Sequence, residues 1–261
     1  MSSGLSRTDI LILAAGKGSR LGGLGAETPK WLLEVGDRTI ADCHLEAIEI
    51  ARQASPGLIR SVQVVTGHAA PGIDEFLRDR PGPVGTLFNP DYARLNNWYS
   101  VLLALERFDR DPDRRVVIVN SDLYARPEWL ADFVAEASRT PHDSLIGIDL
   151  ERNLTDESMK VAVEAGPPMT VRQIGKVGID DPAGEYVGLL MARGPVLEAF
   201  REHLLRFVGL SEHNDEWYER AVGLSAAAGT PWVVHPMADS NWVEIDDDGD
   251  YSAALALTET V

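Results

Sequence analysis

The sequence predicts an α/β fold in which a mainly parallel sheet carries helices on both faces, giving three layers. Short apolar runs alternate with segments of helical periodicity as far as Leu150, and this order favours parallel strands joined by helices. Hydrophobic residues make up 44% of the 261, enough to bury a sizeable core. We therefore expect a single domain over residues 1–261.

The strands and helices of the first half follow from apolar runs and from periodicity. The expected strands are Asp9–Ala15, Ser61–Thr66, Gly85–Phe88 and Arg115–Val119. The expected helices are Thr39–Ala54, Gly72–Arg80, Asn97–Phe108 and Pro127–Ala137. Asn96 is placed to cap the third of these helices, and Pro127 suits the first turn of the fourth.

The alternation of strands and helices stops after Leu150, where three strands are expected with no helix between them. They are Met159–Glu164, Thr170–Ile174 and Glu185–Ala192. We interpret residues 151–192 as a smaller, strand-rich insert or lid that forms part of a binding site. The remaining expected elements are helices at Pro195–Phe207, Asp215–Ala228 and Tyr251–Leu257 and strands at Trp232–His235 and Trp242–Ile245.

The charge balance argues against several classes of partner. The formal net charge is −17, and a surface this acidic repels nucleic acid and anionic lipid. No run approaches the ~20 apolar residues of a membrane span. Cys43 is the single cysteine, so no intrachain disulfide can form. We predict a cytoplasmic protein with neither a nucleic acid polymer nor a membrane as partner, and we leave a homo-oligomer open.

A glycine-rich segment follows the first strand. Gly16 and Gly18 leave backbone N–H groups accessible to phosphate oxygens. Three cations surround them, namely Lys17, Arg20 and Lys30. The segment lacks the third glycine of a dinucleotide-binding motif, because Leu21 holds that position, and it lacks the G-x-x-x-x-G-K-[ST] phosphate loop. On its own it is equally compatible with a tight turn that carries solvated cations.

Two aspartates follow separate predicted strands. Asp122 comes after Arg115–Val119, at the carboxyl end of a strand, where open α/β sheets bind ligands. Asp246 comes after Trp242–Ile245. Two carboxylates from distant segments can share one Mg²⁺, which completes its shell with phosphate and water. The alternative is that Asp122 caps a turn and that Asp246 belongs to a solvated acidic run.

Several segments, in chain order, resemble one enzyme superfamily. LAAGKGSRL (Leu13–Leu21), followed by the Pro-Lys pair that ends at Lys30, closely resembles the signature of pyrophosphorylase-like nucleotidyltransferases. NPDYARLNNWYS (Asn89–Ser100) resembles the N-x-x-Y-x-x-x-N-N-x-x-S segment of the branch that comprises CTP:phosphocholine, phosphonate and polyol-phosphate cytidylyltransferases. VIVNSDLY (Val117–Tyr124) is similar to that family's strand ending in a metal-binding aspartate. MKVAVE, VRQIGK and GEYVGLL resemble its M-K-V, I-x-K and E-Y-x-G-I run, and WVEIDDDGDYSAA (Trp242–Ala254) resembles its closing W-x-E-I-D-x-x-x-D-x-x-x-A.

The resemblance implies a Rossmann-like, three-layer fold of the nucleotidyltransferase or GT-A-like type. It also implies that Asp122 and Asp246 hold Mg²⁺. We infer two catalytic residues, with Arg20 on the β- and γ-phosphates and Lys30 on the α-phosphate. The expected nucleotide-binding residues are Leu13, Ala14, Ala15, Gly16, Lys17, Gly18, Ser19, Asn97, Ser100 and Ser121.

The same resemblance implies an acceptor pocket in the strand-rich segment. The implied residues are Lys160, Lys176, Glu185, Tyr186 and Gly188. Asp215 and Trp217 supply an acid and an aromatic face that can hold an ammonium group. The lysines are equally compatible with solvated strand positions, and Trp217 with packing of a helix against the sheet.

Together these features predict a Mg²⁺-dependent cytidylyltransferase that joins CMP from CTP to a small phosphomonoester or phosphonate and releases pyrophosphate. The acceptor would be phosphocholine-like or 2-aminoethylphosphonate-like. It is already an anion, so no strong general base is needed. The alternative enzyme is a sugar-1-phosphate nucleotidyltransferase that uses UTP, GTP or dTTP. The alternative from another class is a non-catalytic nucleotide-binding regulator.

Overall fold

The structure is a computed structural model that describes residues 7–18, 28–80, 82–237 and 241–259. Its strands are β1 Thr8–Ala14, β2 Glu34–Val35, β3 Arg38–Thr39, β4 Ile59–Thr66, β5 Val84–Phe88, β6 Arg115–Asn120, β7 Leu123–Ala125, β8 Ser144–Asp149, β9 Lys160–Glu164, β10 Thr170–Gly175, β11 Gly184–Arg193, β12 Val234–Pro236 and β13 Trp242–Glu244. Its α-helices are α1 Ile40–Ala54, α2 Ala70–Leu77, α3 Asn97–Leu105, α4 Pro127–Arg139, α5 Gly194–Leu205, α6 Tyr218–Ala227 and α7 Asp248–Glu259. Short 3-10 turns lie at Lys30–Leu32 and Ser211–His213.

Nine of these strands form the central sheet. β5, β4, β1 and β6 run parallel in that order, and β11 joins β6 antiparallel. On its other side β11 pairs with β8 and β9, which in turn pair with β12 and β10. The predicted α/β class with a mainly parallel central sheet is confirmed. β7 and β13 form a separate ribbon, as do β2 and β3.

β1 places hydrophobic side chains on both faces of the sheet, because successive side chains of a strand point to opposite sides. Ile10 and Ile12 lie in a cluster with residues of α1 and α4, and Leu11 and Leu13 lie in a cluster with residues of α3, α5 and α6. All of β1 is buried. The parallel strands therefore lie between two helix layers, and their carboxyl ends share one edge of the sheet.

A capping box starts α1. Thr39 Oγ1 accepts a hydrogen bond from the backbone N–H of Asp42 at 3.0 Å, and Asp42 Oδ2 accepts one from the backbone N–H of Thr39 at 3.0 Å. Two residues after Asp42, His44 is buried on the inner face of α1. The capped start of α1 therefore places the His44 imidazole ring beside the Lys30–Leu32 turn.

Most expected elements are confirmed to within a few residues, but β8 is missing from the predicted set. Its residues are all buried, and a short apolar run has no periodicity that marks it as a strand. β2, β3 and β7 are too short to produce a pattern. α6 begins at Tyr218 rather than Asp215, because Asn97 Oδ1 accepts from the Tyr218 N–H at 2.9 Å after the Ser211–His213 turn.

The strands of residues 151–192 belong to the central sheet. β9 and β10 form an antiparallel pair at its edge, while β11 lies inside it next to β6. The register of β11 shifts between Tyr186 and Leu190, where Gly188 has a φ of +81°. The role of this segment as an insert or lid stays a prediction.

Within the described ranges, no helix combines the length and the apolar character that crossing a bilayer requires. The cytoplasmic location stays a prediction.

Candidate active site

A cavity of about 370 Å³ opens at the carboxyl ends of β1 and β6. Its walls come from the loop after β1, the segment after β6, the beginnings of α3 and α6, and the end of β13. Most of the predicted site residues line it, namely Leu13, Ala14, Gly16, Gly18, Lys30, Asn97, Ser121, Asp122, Lys176, Tyr186, Gly188, Trp217 and Asp246. Open α/β sheets bind their ligands at this edge.

Lys30 lies within a cluster of three acids. Its Nζ donates to Asp246 Oδ1 at 2.6 Å and to Asp122 Oδ2 at 3.4 Å. Glu244 completes the cluster, because one carboxylate oxygen from each of the three acids lies within 4.8 Å of the others. The two predicted metal ligands therefore meet, and a third carboxylate that was not predicted joins them.

The β7–β13 ribbon creates this cluster. Leu123 pairs with Glu244 across the ribbon, and the Ile245 N–H donates to the Asp122 carbonyl at 2.9 Å. Asp250 Oδ2 accepts from the Asp246 N–H at 2.9 Å, so the start of α7 holds the backbone that carries this carboxylate. The positions of the acids thus depend on a few backbone hydrogen bonds between segments far apart in the chain.

Burial and mutual repulsion set the protonation of the cluster. Burial, followed by the charges of Asp122 and Asp246, raises the pKa of Glu244 to about 8. Burial lowers the pKa of Lys30, but the charges of Asp122 and Asp246 outweigh it, and the net shift is upward. Lys30 therefore remains an ammonium group that neutralises part of the negative charge around it.

The cluster has the donor set of a divalent cation site. Asp122 Oδ1 is buried and has no hydrogen-bond partner among the described residues. A buried carboxylate oxygen without a partner is costly unless a cation approaches it. Oxygen ligands of this type are those that hard divalent cations prefer. The residues present therefore fit a divalent metal ion.

The loop after β1 leaves room for a ligand. Gly18 has a φ of +59°, a left-handed conformation that favours glycine. A Cβ at Gly16 would meet no atom within 4 Å. Behind the loop, a Cβ at Gly67 would lie 2.8 Å from the Ala15 carbonyl oxygen, so only glycine allows the chain to approach there. The backbone of the loop is thus supported on one side and open on the other.

A second cavity, of about 410 Å³, adjoins the first. Its lining includes the predicted residues Leu13, Ala15, Gly16, Lys17, Asn97, Ser100 and Asp215. Asn96 caps α3 as expected, because its Oδ1 accepts from the Asn97 N–H at 2.7 Å. Ser100 is buried, and its Oγ accepts from Asn89 Nδ2 at 3.0 Å. The amide and hydroxyl groups expected to recognise a base therefore lie together, and each already has a protein partner.

One wall of the first cavity is built on a chain of hydroxyl groups. Tyr218 O–H donates to Asn120 Oδ1 at 2.8 Å, so the Tyr186 O–H is the donor to the Tyr218 oxygen at 2.7 Å. Beside this chain, burial raises the pKa of Glu219 to about 7. The side chains of Tyr218 and Asn120 lie close enough to this carboxyl group to lower its pKa in part, while its Oε2 atom makes no hydrogen bond within 3.5 Å among the described residues. This wall therefore presents a carboxyl oxygen that suits a hydrogen-bond donor or a cation.

Trp217 lines the same cavity and keeps an accessible aromatic surface. It is 40% exposed, whereas Trp31, Trp98, Trp232 and Trp242 are buried. Lys176 Nζ lies 5.3 Å from the centroid of its ring and 3.2 Å from Glu157 Oε2. The face of this ring is therefore within reach of positive charge.

The MobA-like NTP transferase domain matches residues 10–209 of the chain. This chain belongs to that family. Among curated relatives, the CMP-5'-(3-aminopropyl)phosphonate synthase of Streptomyces rubellomurinus is 29% identical over 257 residues, which cover 94% of this chain and 38% of the relative. The chain therefore spans about two fifths of the length of that relative.

Solved structures of similar proteins share the fold of this NTP transferase domain. The CTP:phosphocholine cytidylyltransferase from Streptococcus pneumoniae matches with a TM-score of 0.72 and 21% identity, over 97% of this chain and 99% of the other. The inositol-1-phosphate CTP transferase from T. maritima matches with a TM-score of 0.70 and 18% identity, over 98% of both chains. The nucleotidyltransferase fold that the sequence resemblance implied is confirmed.

Two predicted acceptor-binding residues of this NTP transferase domain line neither cavity. Lys160 Nζ donates to a backbone carbonyl at 3.0 Å, and Glu185 pairs with Arg152 at 3.3 Å. Their sequence neighbours Met159 and Tyr186 take the cavity side instead, as strand alternation requires. An acceptor-binding role for Lys160 and Glu185 stays a prediction that this geometry does not favour.

Some residues of the site were not predicted from the sequence, and two predicted ones lie outside the described residues. Asn120, Met159, Glu219 and Glu244 line the first cavity without having been predicted. Glu244 stands two positions before Asp246 in the W-x-E-I-D motif, so strand alternation was a signal that could have found it. Glu219 gave no signal, because acids in helical segments are ordinarily solvated. Ser19 and Arg20 lie outside the described residues, and their roles stay predictions.

Proposed function

We propose that this chain is a Mg²⁺-dependent cytidylyltransferase. It joins the CMP unit of CTP to a small phosphomonoester or phosphonate and releases pyrophosphate. The proposal depends on the position of Lys30 inside the Asp122–Glu244–Asp246 cluster, in the cavity that the glycine loop also lines. Nucleotidyl transfer needs neutralised repulsion and alignment, and this arrangement supplies both.

In the proposed reaction, an oxygen of the acceptor's phosphate or phosphonate attacks the α-phosphorus of CTP in line. The bond from the α-phosphorus to the bridging oxygen breaks, and pyrophosphate leaves with that electron pair. Lys30 holds the α-phosphate, while Arg20 and the backbone N–H groups of the glycine loop hold the β- and γ-phosphates. Asp122, Glu244 and Asp246 would hold Mg²⁺, which when bound would supply positive charge to offset the repulsion of the phosphates.

The second cavity supports cytosine as the base. Ser100 accepts from Asn89, which leaves the Ser100 hydroxyl proton available for a ligand. Asn97 uses its Oδ1 to accept from the Tyr218 N–H, so its NH₂ group is the part available for a ligand. Both groups are therefore donors. Cytosine offers acceptors at O2 and N3, whereas uracil carries a donor at N3, so two adjacent donors favour CTP over UTP.

The first cavity supports an acceptor with a cationic end. Glu219 presents a buried carboxyl group beside Tyr218 and Asn120, and Trp217 presents an accessible ring. An ammonium group can bind both. The relatives named above for 3-aminopropylphosphonate and for phosphocholine have substrates with such a group. We propose an aminoalkyl phosphonate or an amine-bearing phosphomonoester as the acceptor class.

A matrix of nucleotides and acceptors tests this function. CTP, UTP, GTP and dTTP would each be mixed with phosphocholine, phosphoethanolamine, 2-aminoethylphosphonate, inositol 1-phosphate and glucose 1-phosphate in the presence of Mg²⁺. Pyrophosphate release is the readout, and the expected product is the CMP conjugate of an amine-bearing acceptor. Turnover with glucose 1-phosphate and UTP would establish the sugar nucleotidyltransferase instead. Tight binding of CTP with no turnover in any mixture would establish a non-catalytic regulator.

A further inference from the structure

We propose that His44 is a positioning residue, which keeps the Lys30 ammonium within hydrogen-bonding distance of the acidic cluster. The inference rests on the proposed metal site but not on the identity of the nucleotide or the acceptor. His44 lines neither cavity, and its two ring nitrogens bond Trp31 Nε1 and the Leu123 carbonyl rather than any of the three acids. Its effect on the site would therefore pass through the two residues that it contacts.

The ring of His44 joins the two sides of the site. Its Nδ1 accepts a hydrogen bond from Trp31 Nε1 at 3.2 Å, and its Nε2–H donates to the Leu123 carbonyl at 2.7 Å. Trp31 directly follows Lys30, and Leu123 directly follows Asp122. One imidazole thus links the turn that carries the cation to the strand that follows the carboxylate.

Only a neutral ring with its proton on Nε2 makes both bonds, since Nδ1 must accept and Nε2 must donate. The surroundings support that form. His44 is 1% exposed and Trp31 is fully buried, and burial lowers the pKa of His44 to about 4. Both hydrogen bonds of the His44 ring are therefore present throughout the neutral pH range.

The turn that carries Lys30 is also tied to the start of α1, because the Ile40 N–H donates to the Leu33 carbonyl at 3.1 Å, and Trp31 is fully buried in the core. The turn is a three-residue 3-10 turn, closed by the Leu32 N–H to the Pro29 carbonyl at 2.8 Å and by the Leu33 N–H to the Lys30 carbonyl at 2.9 Å. Trp31 packs edge-on against Phe76, with ring centroids 5.9 Å apart. The two hydrogen bonds of His44 are the ones that connect this turn directly to β7.

The test measures how strongly Lys30 is coupled to the metal site, using Mn²⁺ as the probe and no nucleotide. Because the Lys30 ammonium competes with a cation for the same carboxylates, Lys30→Met should tighten Mn²⁺ binding about tenfold. The same substitution is then made in His44→Phe and in Trp31→Phe. The second variant removes the indole N–H together with part of a buried ring, so its stability is measured beside its Mn²⁺ affinity.

If His44 positions Lys30, Lys30→Met changes the Mn²⁺ dissociation constant less than about threefold in both backgrounds, because the ammonium is no longer held in the cluster. Ile48→Ala is the matched control, as Ile48 is buried one turn further along α1. It should lower stability and keep the full tenfold effect. Unfolding in urea, measured for each background, compares the stability losses.

Equal effects of Lys30→Met in all backgrounds would overturn the proposal, and so would a native protein that binds no Mn²⁺ or does not respond to Lys30→Met. Because no nucleotide is present, rejection of CTP in the turnover assay would overturn the proposed function and leave this result standing. The two failures are therefore distinguishable.

Discussion

Lys30 Nζ lies 2.6 Å from Asp246 Oδ1, so the protein itself places one positive charge inside the acidic cluster. Three carboxyl groups surround that single ammonium, and burial with mutual repulsion raises the pKa of Glu244 to about 8. The cluster is thus incompletely neutralised by the protein. The three carboxyl groups would hold a divalent cation, which would supply the missing positive charge, and Lys30 would then be the charge that pairs with a phosphate.

Lys30→Met should separate the two roles of this residue. We expect turnover to fall about 10²–10³-fold, because a charge on the α-phosphate is lost, while Mn²⁺ binding tightens. Steady-state pyrophosphate release and Mn²⁺ titration are the measurements. Arg78→Met, at an exposed position, should change neither. A Lys30→Met protein with native turnover would remove Lys30 from the mechanism.

Asp246→Asn should abolish most of the metal affinity. The amide keeps the shape of the side chain but removes a charge from the cluster, so we expect at least a tenfold weaker Mn²⁺ complex and a comparable or larger loss of turnover. Asp248→Asn is the control, since it lies exposed in the first turn of α7. Its effect should stay below twofold. Similar losses in both variants would show that general charge, rather than the cluster, controls binding.

Glu219→Gln should act on the cationic end of the acceptor. We expect kcat/KM for 2-aminoethylphosphonate to fall about 10–100-fold, the usual cost of losing a hydrogen bond to a charged group. The value for ethylphosphonate, which lacks the ammonium, should hardly change. Glu212→Gln, at an exposed site in the Ser211–His213 turn, serves as the protein control. A loss of equal size for both acceptors would contradict recognition of the ammonium.

His44 should make stability depend on pH. Burial lowers its pKa from an ordinary value of 6.5 to about 4. The unfolded chain takes up this proton below pH 6.5 and the folded protein does not, so stability is complete above pH 6.5 and is lost as pH falls towards 4. The loss should reach roughly 2 kcal/mol by pH 5. Urea unfolding of the native protein and of His44→Phe at pH 7.5, 6 and 5 measures it, and parallel pH profiles would contradict it.

Local patterns predicted the parallel half of the fold and two of the three acids. Helical periodicity marks α1, an apolar run marks β1, and Asp122 follows a second apolar run. The family resemblance implied that Asp122 and Asp246 meet, but no local pattern predicts the ribbon that brings them together, which has three residues per strand and joins segments more than a hundred positions apart. No local signal announces such a pairing.

Strand alternation explains where the predicted acceptor site failed to match the cavity. Glu185 and Tyr186 are neighbours in β11, so only one of them can face the ligand, and the structure places Tyr186 there. Glu185 lies opposite Lys160 in the β9–β11 register, so both are turned from the cavity together. A sequence motif identifies the segment that forms a site. Which of its side chains face the ligand depends on how the strand is paired within the sheet.

Because β13 is the last strand along the chain, the acidic cluster can form only late in synthesis. A nascent chain that has reached Met237 contains every strand of the central sheet but neither Glu244 nor Asp246. Such an intermediate could complete its central sheet while lacking two of the three acids of the cluster. Capture of a divalent ion would then report that synthesis has passed β13.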